Sequence, residues 1–352
     1  MTDTVLTGVG CWLPKDIRFN QAWPKNFGQD GKHADRTFND IPPSNDPLAA
    51  AITDRYLKAE ALDPFLGCFT RRVADPRALA MEAETMAALR ALDDAGVDPK
   101  DVDIVLSNAA VPDRIAPPSA TGVIGLIGAT KAFGVGIDVA CASALVQMHM
   151  AHSYIQSGQA RHVLLTQSHL LLKTLPLSHP ASPGLGDGAS ALLMSKGGKG
   201  LKFKAAYGFT HGDHYESVCW VRHENDTPWW QPGGAFRVGT RNIEGVKHLM
   251  RETVSFGAET IQRAADIANV EIPSIDTIIS VQPRGFVPFA IAERLGLPQS
   301  VAVSTYKYLG HLGGVGPVMN LIEARTLGTL GERVAFYGQG TGFTRFATIL
   351  EA

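Results

Sequence analysis

The segment IDVACASALVQMHMAHSYIQSG places a cysteine where a strand is expected to turn into a helix. Cys141 follows the apolar run at 135–139, and the residues after it predict a helix that ends near Gly158. Backbone N–H groups and the positive dipole end at a helix N-terminus favour a thiolate and can hold an oxyanion. These residues are typical of an acyl-accepting nucleophile. The alternative, from the residues alone, is a small buried hydrophobic cysteine.

A second glycine-rich turn, GHLGGVGPVM, follows about 170 residues later and contains His311. A helix, an Asp-containing turn and a strand occur in the same order at 77–108 and at 245–281. Repetition of such units predicts two similar halves related by a pseudo-two-fold axis. That symmetry would bring the turn at Cys141 close to the turn at His311.

Hydrophobic periodicity and glycine stops predict the elements that position these turns. Helices are predicted at 77–95, ending at Gly96, and at 243–268, and buried strands at 103–110 and 276–283. The polar, proline-containing stretch 18–65 is predicted to be a long surface loop.

Composition narrows the class of protein. The chain has 352 residues and a net charge of −2. Because basic residues are not in excess, the composition does not favour binding to nucleic acid or acidic membranes. It has no run of about 20 apolar residues that could span a bilayer. Its four cysteines show no zinc or redox spacing, so we expect reduced thiols in a cytoplasmic protein. No glycine-rich loop stands in a nucleotide-binding context, so we expect neither a metal nor a bound cofactor.

Five ordered segments resemble motifs of the ketosynthase III family (β-ketoacyl-acyl-carrier-protein synthase III) of the thiolase superfamily. They are CFTRRVA (68–74), PPSATGVIGLIGA (117–129), the Cys141 segment, LGDGASALLMS (185–195) and YGQGTGFTRFATILEA (337–352). The resemblance implies an α/β thiolase fold with two duplicated βαβαβαββ halves in a five-layered α-β-α-β-α arrangement. Residues 1–199 would form the half with Cys141, and residues 200–352 the half with His311.

The resemblance also implies roles for individual residues. Cys141 would accept an acyl group from an acyl carrier protein or coenzyme A thioester, and the protein would be a homodimer. The loop 338–342 would form the oxyanion site, in which backbone N–H groups of Thr341 or its neighbour Gly340 join that of Cys141. A family spacing counted from Asp138 would instead place Ser143 at the nucleophile position. A thiolate forms far more easily than an alkoxide, which favours Cys141.

Two positions depart from the family pattern. The histidine used for decarboxylating condensation is replaced, because Val281 or Gln282 stands at its place. His311 stands at or beside the usual asparagine, which resembles a branch of the family in specialised metabolism. An aspartate that often follows in that branch is Gly316 here, so this position does not supply the aspartate of a Cys–His–Asp triad. His169, at the end of a predicted strand, is a further candidate for lining the site.

These residues predict an acyltransferase that loads Cys141 and uses His311 to activate an oxygen or nitrogen nucleophile, in polyketide-type specialised metabolism. Two alternatives stay open. One is a carbon–carbon condensing enzyme of the starter-unit or pyrone-forming type, and the other is a non-catalytic ketosynthase-like subunit.

Overall fold

The computed structural model describes residues 3–27, 43–61, 63–222, 227–228 and 230–352. Its strands are β1 (Thr4–Trp12), β2 (Asp16–Phe19), β3 (Thr70–Val73), β4 (Ile104–Ala109), β5 (Phe133–Gly136), β6 (His162–His169), β7 (Gly188–Lys196), β8 (Leu201–Thr210), β9 (Cys219–Arg222), β10 (Phe236–Gly239), β11 (Thr277–Ser280), β12 (Ala302–Val303), β13 (Arg333–Gly340) and β14 (Thr344–Glu351). Its α-helices are α1 (Pro47–Glu60), α2 (Ala80–Ala95), α3 (Ser119–Ile127), α4 (Ser143–Gln156), α5 (Ile243–Ala268), α6 (Val287–Arg294), α7 (Tyr306–Leu309) and α8 (Val315–Leu327).

The strands form two similar five-stranded arrays. The N-terminal array runs β5-β4-β6-β7-β1, and the C-terminal array runs β12-β11-β13-β14-β8. In each array the first three strands are parallel and the last two are antiparallel to their neighbours. A short antiparallel contact between β1 and β8 joins the arrays along one edge. The predicted duplication of βαβαβαββ halves is therefore confirmed.

Helices cover both faces of both arrays and produce the predicted five layers. α2 and α3 pack on the outer face of the N-terminal array, and α1, α5 and α6 on the outer face of the C-terminal array. α4 and α8 lie between the arrays in the largest core cluster. Alternate strand residues face different layers: Ile104 and Leu106 point to the central helices, whereas Val105 points to α2 and α3. Burial on both faces explains why these strands are continuously apolar.

Local signals fix the ends of the long helices. Gly96 closes α2 in the left-handed conformation at φ 65°, which glycine adopts without a steric penalty. Asn242 begins α5 by accepting a hydrogen bond from the Gly245 N–H at 2.8 Å. The boundaries predicted for α5 match those observed, Ile243–Ala268.

Several predicted boundaries were wrong, because α2 begins at Ala80 rather than at 77 and β11 ends at Ser280 rather than at 283. The stretch 18–65 is not simply a surface loop, because it contains the end of β2 and all of α1. Asp46 caps α1 by accepting from the Ala49 N–H at 3.0 Å, and Pro47 provides a favoured first helical residue. Residues 28–42 and 62 of that stretch lie outside the described residues. The strand expected at 135–139 is β5, which ends at Gly136, so an irregular segment leads into Cys141.

Among the helices of the described residues, none combines the length and apolar character needed to cross a lipid bilayer.

Candidate active site

The nucleophile turn connects β5 to α4 and is held by Asp138. The Asp138 Oδ1 accepts hydrogen bonds from the Ala140 N–H at 2.9 Å and from the Asn108 Nδ2 at 3.1 Å. Ala140 has a φ of 47°, a left-handed conformation that L-residues rarely adopt. This strained residue directly precedes Cys141, and the hydrogen bonds to Asp138 hold it in place.

Ser143, the second nucleophile candidate, lies elsewhere in the same turn. It begins α4, its exposed fraction is 0%, and its Oγ accepts a hydrogen bond from the Val139 N–H at 2.9 Å. The hydroxyl therefore satisfies a backbone donor within the turn, and Ser143 does not line the cavity described below.

His311 lies on a turn clamped by the segment that precedes β7. The His311 N–H donates to the Gly184 carbonyl at 2.7 Å, and the Gly186 N–H donates to the His311 carbonyl at 3.1 Å. Gly310, at φ 69°, allows the chain to enter this clamp. Cys141 and His311 come together across the two halves, with 3.4 Å between the Cys141 Sγ and the His311 Nε2. That distance suits proton transfer from the thiol to the imidazole.

Burial keeps both members of this pair uncharged in the resting site. Burial, and then the Asp138 carboxylate, raises the pKa of the Cys141 thiol to about 12. Burial, and then the neighbouring His169, lowers the pKa of His311 to about 3. Burial opposes the effect of the helix end, which favours a thiolate, and on balance the thiol pKa is raised. The Nε2 of His311 is consequently available to accept the thiol proton when a substrate arrives.

Cys141 and His311 open onto a cavity of about 240 Å³. Its wall is mainly apolar and comes from α1, α5, α6 and the β13–β14 connection. The lining residues are Leu57, Cys141, Val218, Val246, Leu249, Met250, Thr253, Pro283, Arg284, Phe286, Val287, His311, Gln339, Gly340, Thr341 and Phe343. An apolar cavity with a nucleophile and a base in its wall is suited to holding an acyl thioester away from water.

The predicted oxyanion loop lies directly against the nucleophile turn. Gly340 and Thr341 line the same cavity as Cys141. A Cβ atom added to Gly340 would lie 2.0 Å from the Val139 carbonyl oxygen, so only glycine permits this approach of the two backbones. The arrangement brings the backbone of 340–341 next to the residue whose acyl group would form an oxyanion.

Val281 and Gln282 do not line the cavity. Both side chains are fully buried, and the Gln282 amide belongs to a polar network behind the site. Its Nε2 donates to the Thr305 Oγ1 at 2.9 Å, and its Oε1 accepts from the Asn320 Nδ2 at 3.2 Å. Neither side chain is a proton-transferring base, so the position expected for the decarboxylating histidine has no such function.

His169 also lies outside the cavity lining, behind His311. The centroids of the two imidazole rings are 5.8 Å apart, and the ring planes meet at 71°. Burial lowers the pKa of His169 to about 4, so this ring too is neutral. Sequence reasoning placed His169 near the site, and the structure places it one layer behind the cavity.

Several wall residues were missed by the sequence analysis. α1 contributes Leu57, and its Glu60 forms an ion pair with Arg284 at 3.1 Å. The sequence contains the proline that begins α1, but the residues around it are too polar to identify this helix as part of the site. Within the described ranges, no cluster of three or more His, Cys, Asp or Glu side chains could hold a metal ion.

Comparisons with known proteins agree with this architecture. Residues 136–211 match the family model for 3-oxoacyl-[acyl-carrier-protein] synthase III, and residues 265–352 match the model for its C-terminal part. β-Ketoacyl-[acyl-carrier-protein] synthase III of Clostridium perfringens is 25% identical over 268 residues, which cover 75% of this chain and 82% of that protein.

Solved structures show the same fold. The 3-oxoacyl-[acyl-carrier-protein] synthase III of Aquifex aeolicus superposes with a TM-score of 0.78 at 20% identity, over 99% of this chain and 100% of that one. The priming β-ketosynthase of the R1128 polyketide pathway gives 0.77 at 19% identity, over 99% and 96%. The matched family consists of condensing enzymes, which are transferases. The chain is therefore ketosynthase III-like, with sequence similarity over both matched segments and the fold of the solved ketosynthase III structures.

Proposed function

We propose that the protein is an acyltransferase that takes an acyl group from an acyl carrier protein or coenzyme A thioester onto Cys141 and passes it to an oxygen or nitrogen nucleophile. The observation that carries the proposal is the contact of 3.4 Å between Cys141 and His311. Val281 or Gln282 is expected at the position of the decarboxylating histidine, and both are fully buried and neither is a base. One base at the thiol serves acyl loading, and among the described residues that line the cavity there is no second base to support an enolate.

The chemistry balances with His311 as the only proton carrier. The Cys141 Sγ gives its proton to the His311 Nε2 and attacks the thioester carbonyl, while N–H groups of Cys141 and the 340–341 segment bind the oxyanion. Collapse expels the pantetheine thiolate, which takes the proton from His311 and leaves acyl-Cys141. The acceptor then gives its proton to His311, attacks the acyl carbonyl and releases Cys141, which regains the proton.

The experiment is intact-protein mass spectrometry after incubation with a panel of acyl thioesters, supplied both as coenzyme A and as carrier-protein derivatives. The wild type should gain the mass of one acyl group. Cys141→Ala should gain none, and the control Cys219→Ala should load like the wild type. Absence of an adduct with every donor would overturn the proposal and favour a non-catalytic subunit.

A carbon–carbon condensing enzyme is the second candidate, favoured by the synthase activity for which the matched family and the Clostridium relative are named. The loaded protein should therefore be given either alcohols and amines or malonyl thioester. An ester or amide product supports acyl transfer. Release of CO2 with a new carbon–carbon bond would instead assign the condensing reaction.

We also propose that the protein is a homodimer in polyketide-type specialised metabolism, where the R1128 priming enzyme provides a structural parallel. β5 is an edge strand of the described sheet, and its Phe133 is 52% exposed. An apolar edge strand of this kind favours pairing with another strand. Sedimentation should give twice the mass of the chain, and Phe133→Lys should shift the protein to a monomer.

A further inference from the structure

His169 is held behind the site by one hydrogen bond. It is the last residue of β6, its exposed fraction is 4%, and its Nδ1 lies 2.8 Å from the Gly186 carbonyl oxygen. Because a carbonyl can only accept, the Nδ1 carries the hydrogen and donates it. The Nε2 is then unprotonated in the neutral ring, so this contact fixes both the tautomer and the orientation of the imidazole.

The same Gly186 residue holds His311. The Gly186 N–H donates to the His311 carbonyl at 3.1 Å, and two residues earlier the Gly184 carbonyl accepts from the His311 N–H at 2.7 Å. A hydrogen-bonded chain therefore runs from the His169 ring through Gly186 to the His311 backbone. A shift of the 184–186 segment would move His311 relative to the thiol.

A second contact joins His169 to the far end of the His311 turn. A Cβ atom added to Gly313 would lie 2.6 Å from the His169 Cδ2 and 3.4 Å from its Nε2. The imidazole thus fills the space that a side chain at Gly313 would need. With the Gly186 contact, His169 supports the His311 turn on both sides of the base.

We propose that His169 is a positioning residue that sets the distance between the His311 Nε2 and the Cys141 Sγ. This proposal rests on the proposed role of His311 as the base for Cys141. His169 does not touch the cavity, so its effect on the thiol passes through His311. The required groups are the Nδ1–H donor and the volume of the ring near Gly313.

Substitution of His169 by asparagine or by glutamine distinguishes these two requirements from a general effect on folding. The amide of His169→Asn places an N–H near the position of the His169 Nδ1 and can donate to Gly186, whereas His169→Gln places its amide near the position of Nε2. The readout is the rate of alkylation of Cys141 by iodoacetamide, measured by peptide mass spectrometry at neutral pH. This reaction needs deprotonation of the thiol but no acyl donor, so it gives a result even if the proposed acyl transfer is wrong.

We expect His169→Asn to react within about threefold of the wild type and His169→Gln about tenfold more slowly. The decisive experiment repeats both His169 substitutions in a protein that also has His311→Ala. If His169 acts through His311, glutamine has no further effect in that background.

Equal rates for the asparagine and glutamine variants, or the same loss by glutamine with and without His311, would overturn the positioning role. Acyl loading measured on the same variants tests the proposed function separately. If the wild type never gains an acyl group, the proposed acyltransferase activity is wrong, and the alkylation rates of the variants alone decide the role of His169.

Discussion

β6 and β13 occupy equivalent places in the two halves, and each ends against the catalytic turn of the opposite half. β6 ends at His169, a bulky ring that packs where Gly313 has no side chain. β13 ends at Gly340, whose missing side chain admits the Val139 carbonyl oxygen. One contact places a side chain against a glycine in the turn, and the other places a glycine against the turn backbone. The duplicated scaffold thus provides equivalent positions at the ends of β6 and β13. The residue at each position decides whether a side chain or the backbone contacts the catalytic turn of the opposite half.

The two catalytic turns differ in the same way. The turn at Cys141 uses a strained alanine, Ala140 at φ 47°, whereas the turn at His311 uses Gly310 at φ 69° and Gly313 at φ 55°. Hydrogen bonds to Asp138 hold the alanine, but a neighbouring backbone segment and a ring hold the glycines. The first turn has a rigid internal support, and the second depends on residues from the other half.

Removing the base from the second turn should have the largest effect. His311→Ala should slow acyl loading of Cys141 by about 10²- to 10⁴-fold, the usual contribution of a general base. His311→Asn keeps a polar side chain of similar size, but its amide cannot accept the thiol proton, so this variant should also load slowly. Rapid-quench mass spectrometry measures the adduct rate. Loading by either variant within about threefold of the wild type would show that His311 is not the base.

The uncharged state of the Cys141 thiol and the His311 imidazole predicts how the rate of alkylation of Cys141 depends on pH. In His311→Ala the thiol must lose its proton to bulk base, and because burial raises the pKa of Cys141 to about 12, alkylation of this variant should accelerate about tenfold per pH unit from pH 6 to pH 10 without a plateau. In the wild type, transfer of the thiol proton to His311 adds a route whose rate does not change with pH in this range, since the pKa of His311 is lowered to about 3. The unfolded chain in guanidinium is the control and should level off near the ordinary thiol pKa. A plateau below pH 10 in folded His311→Ala would show that burial does not raise the thiol pKa.

The glycine at the end of β13 should tolerate substitution least. Gly340→Ala brings its Cβ within 2.0 Å of a backbone oxygen, and a backbone group cannot rotate away as a flexible side chain can. We expect a loss of about 2 kcal/mol or more in the free energy of unfolding, with loading slowed in the fraction that folds. Thr341→Ala is the matched control, because the proposed oxyanion contact uses its backbone. Denaturant unfolding and adduct rates measure both variants, and an unchanged Gly340→Ala would contradict the close approach.

Gly313→Ala tests the corresponding contact in the other half and should be partly rescued. Its Cβ meets the His169 ring, which a second substitution can remove. His169→Ala should recover the steric part of the loss, while the cost of alanine at positive φ, about 1 kcal/mol, remains. A double-mutant cycle from denaturant unfolding measures the coupling. Strictly additive effects would mean that the ring and the turn do not touch.

Much of the scaffold could be predicted from the sequence, because its signals are local or periodic. The glycine that ends α2 and the hydrophobic periodicity of α5 mark these helices directly, and the repeated helix–strand order reveals two halves. The contact between His169 and Gly313 could not be predicted, because these residues meet only after the two halves pack. The raised thiol pKa has the same origin: local sequence shows a helix end that favours a thiolate, whereas burial depends on the walls contributed by α1, α5 and α6.

The smallest expected effect concerns the internal support of the first turn. Ser143→Ala removes the acceptor for the Val139 N–H and leaves that buried donor without its partner, at a cost of about 1–2 kcal/mol in the free energy of unfolding. Ser143→Thr, which keeps the hydroxyl, controls for loss of the acceptor. Acyl loading should persist in Ser143→Ala, because Cys141, not Ser143, faces the cavity. Denaturant unfolding and intact mass together decide the matter, since a stable Ser143→Ala that no longer loads would reassign the nucleophile to Ser143.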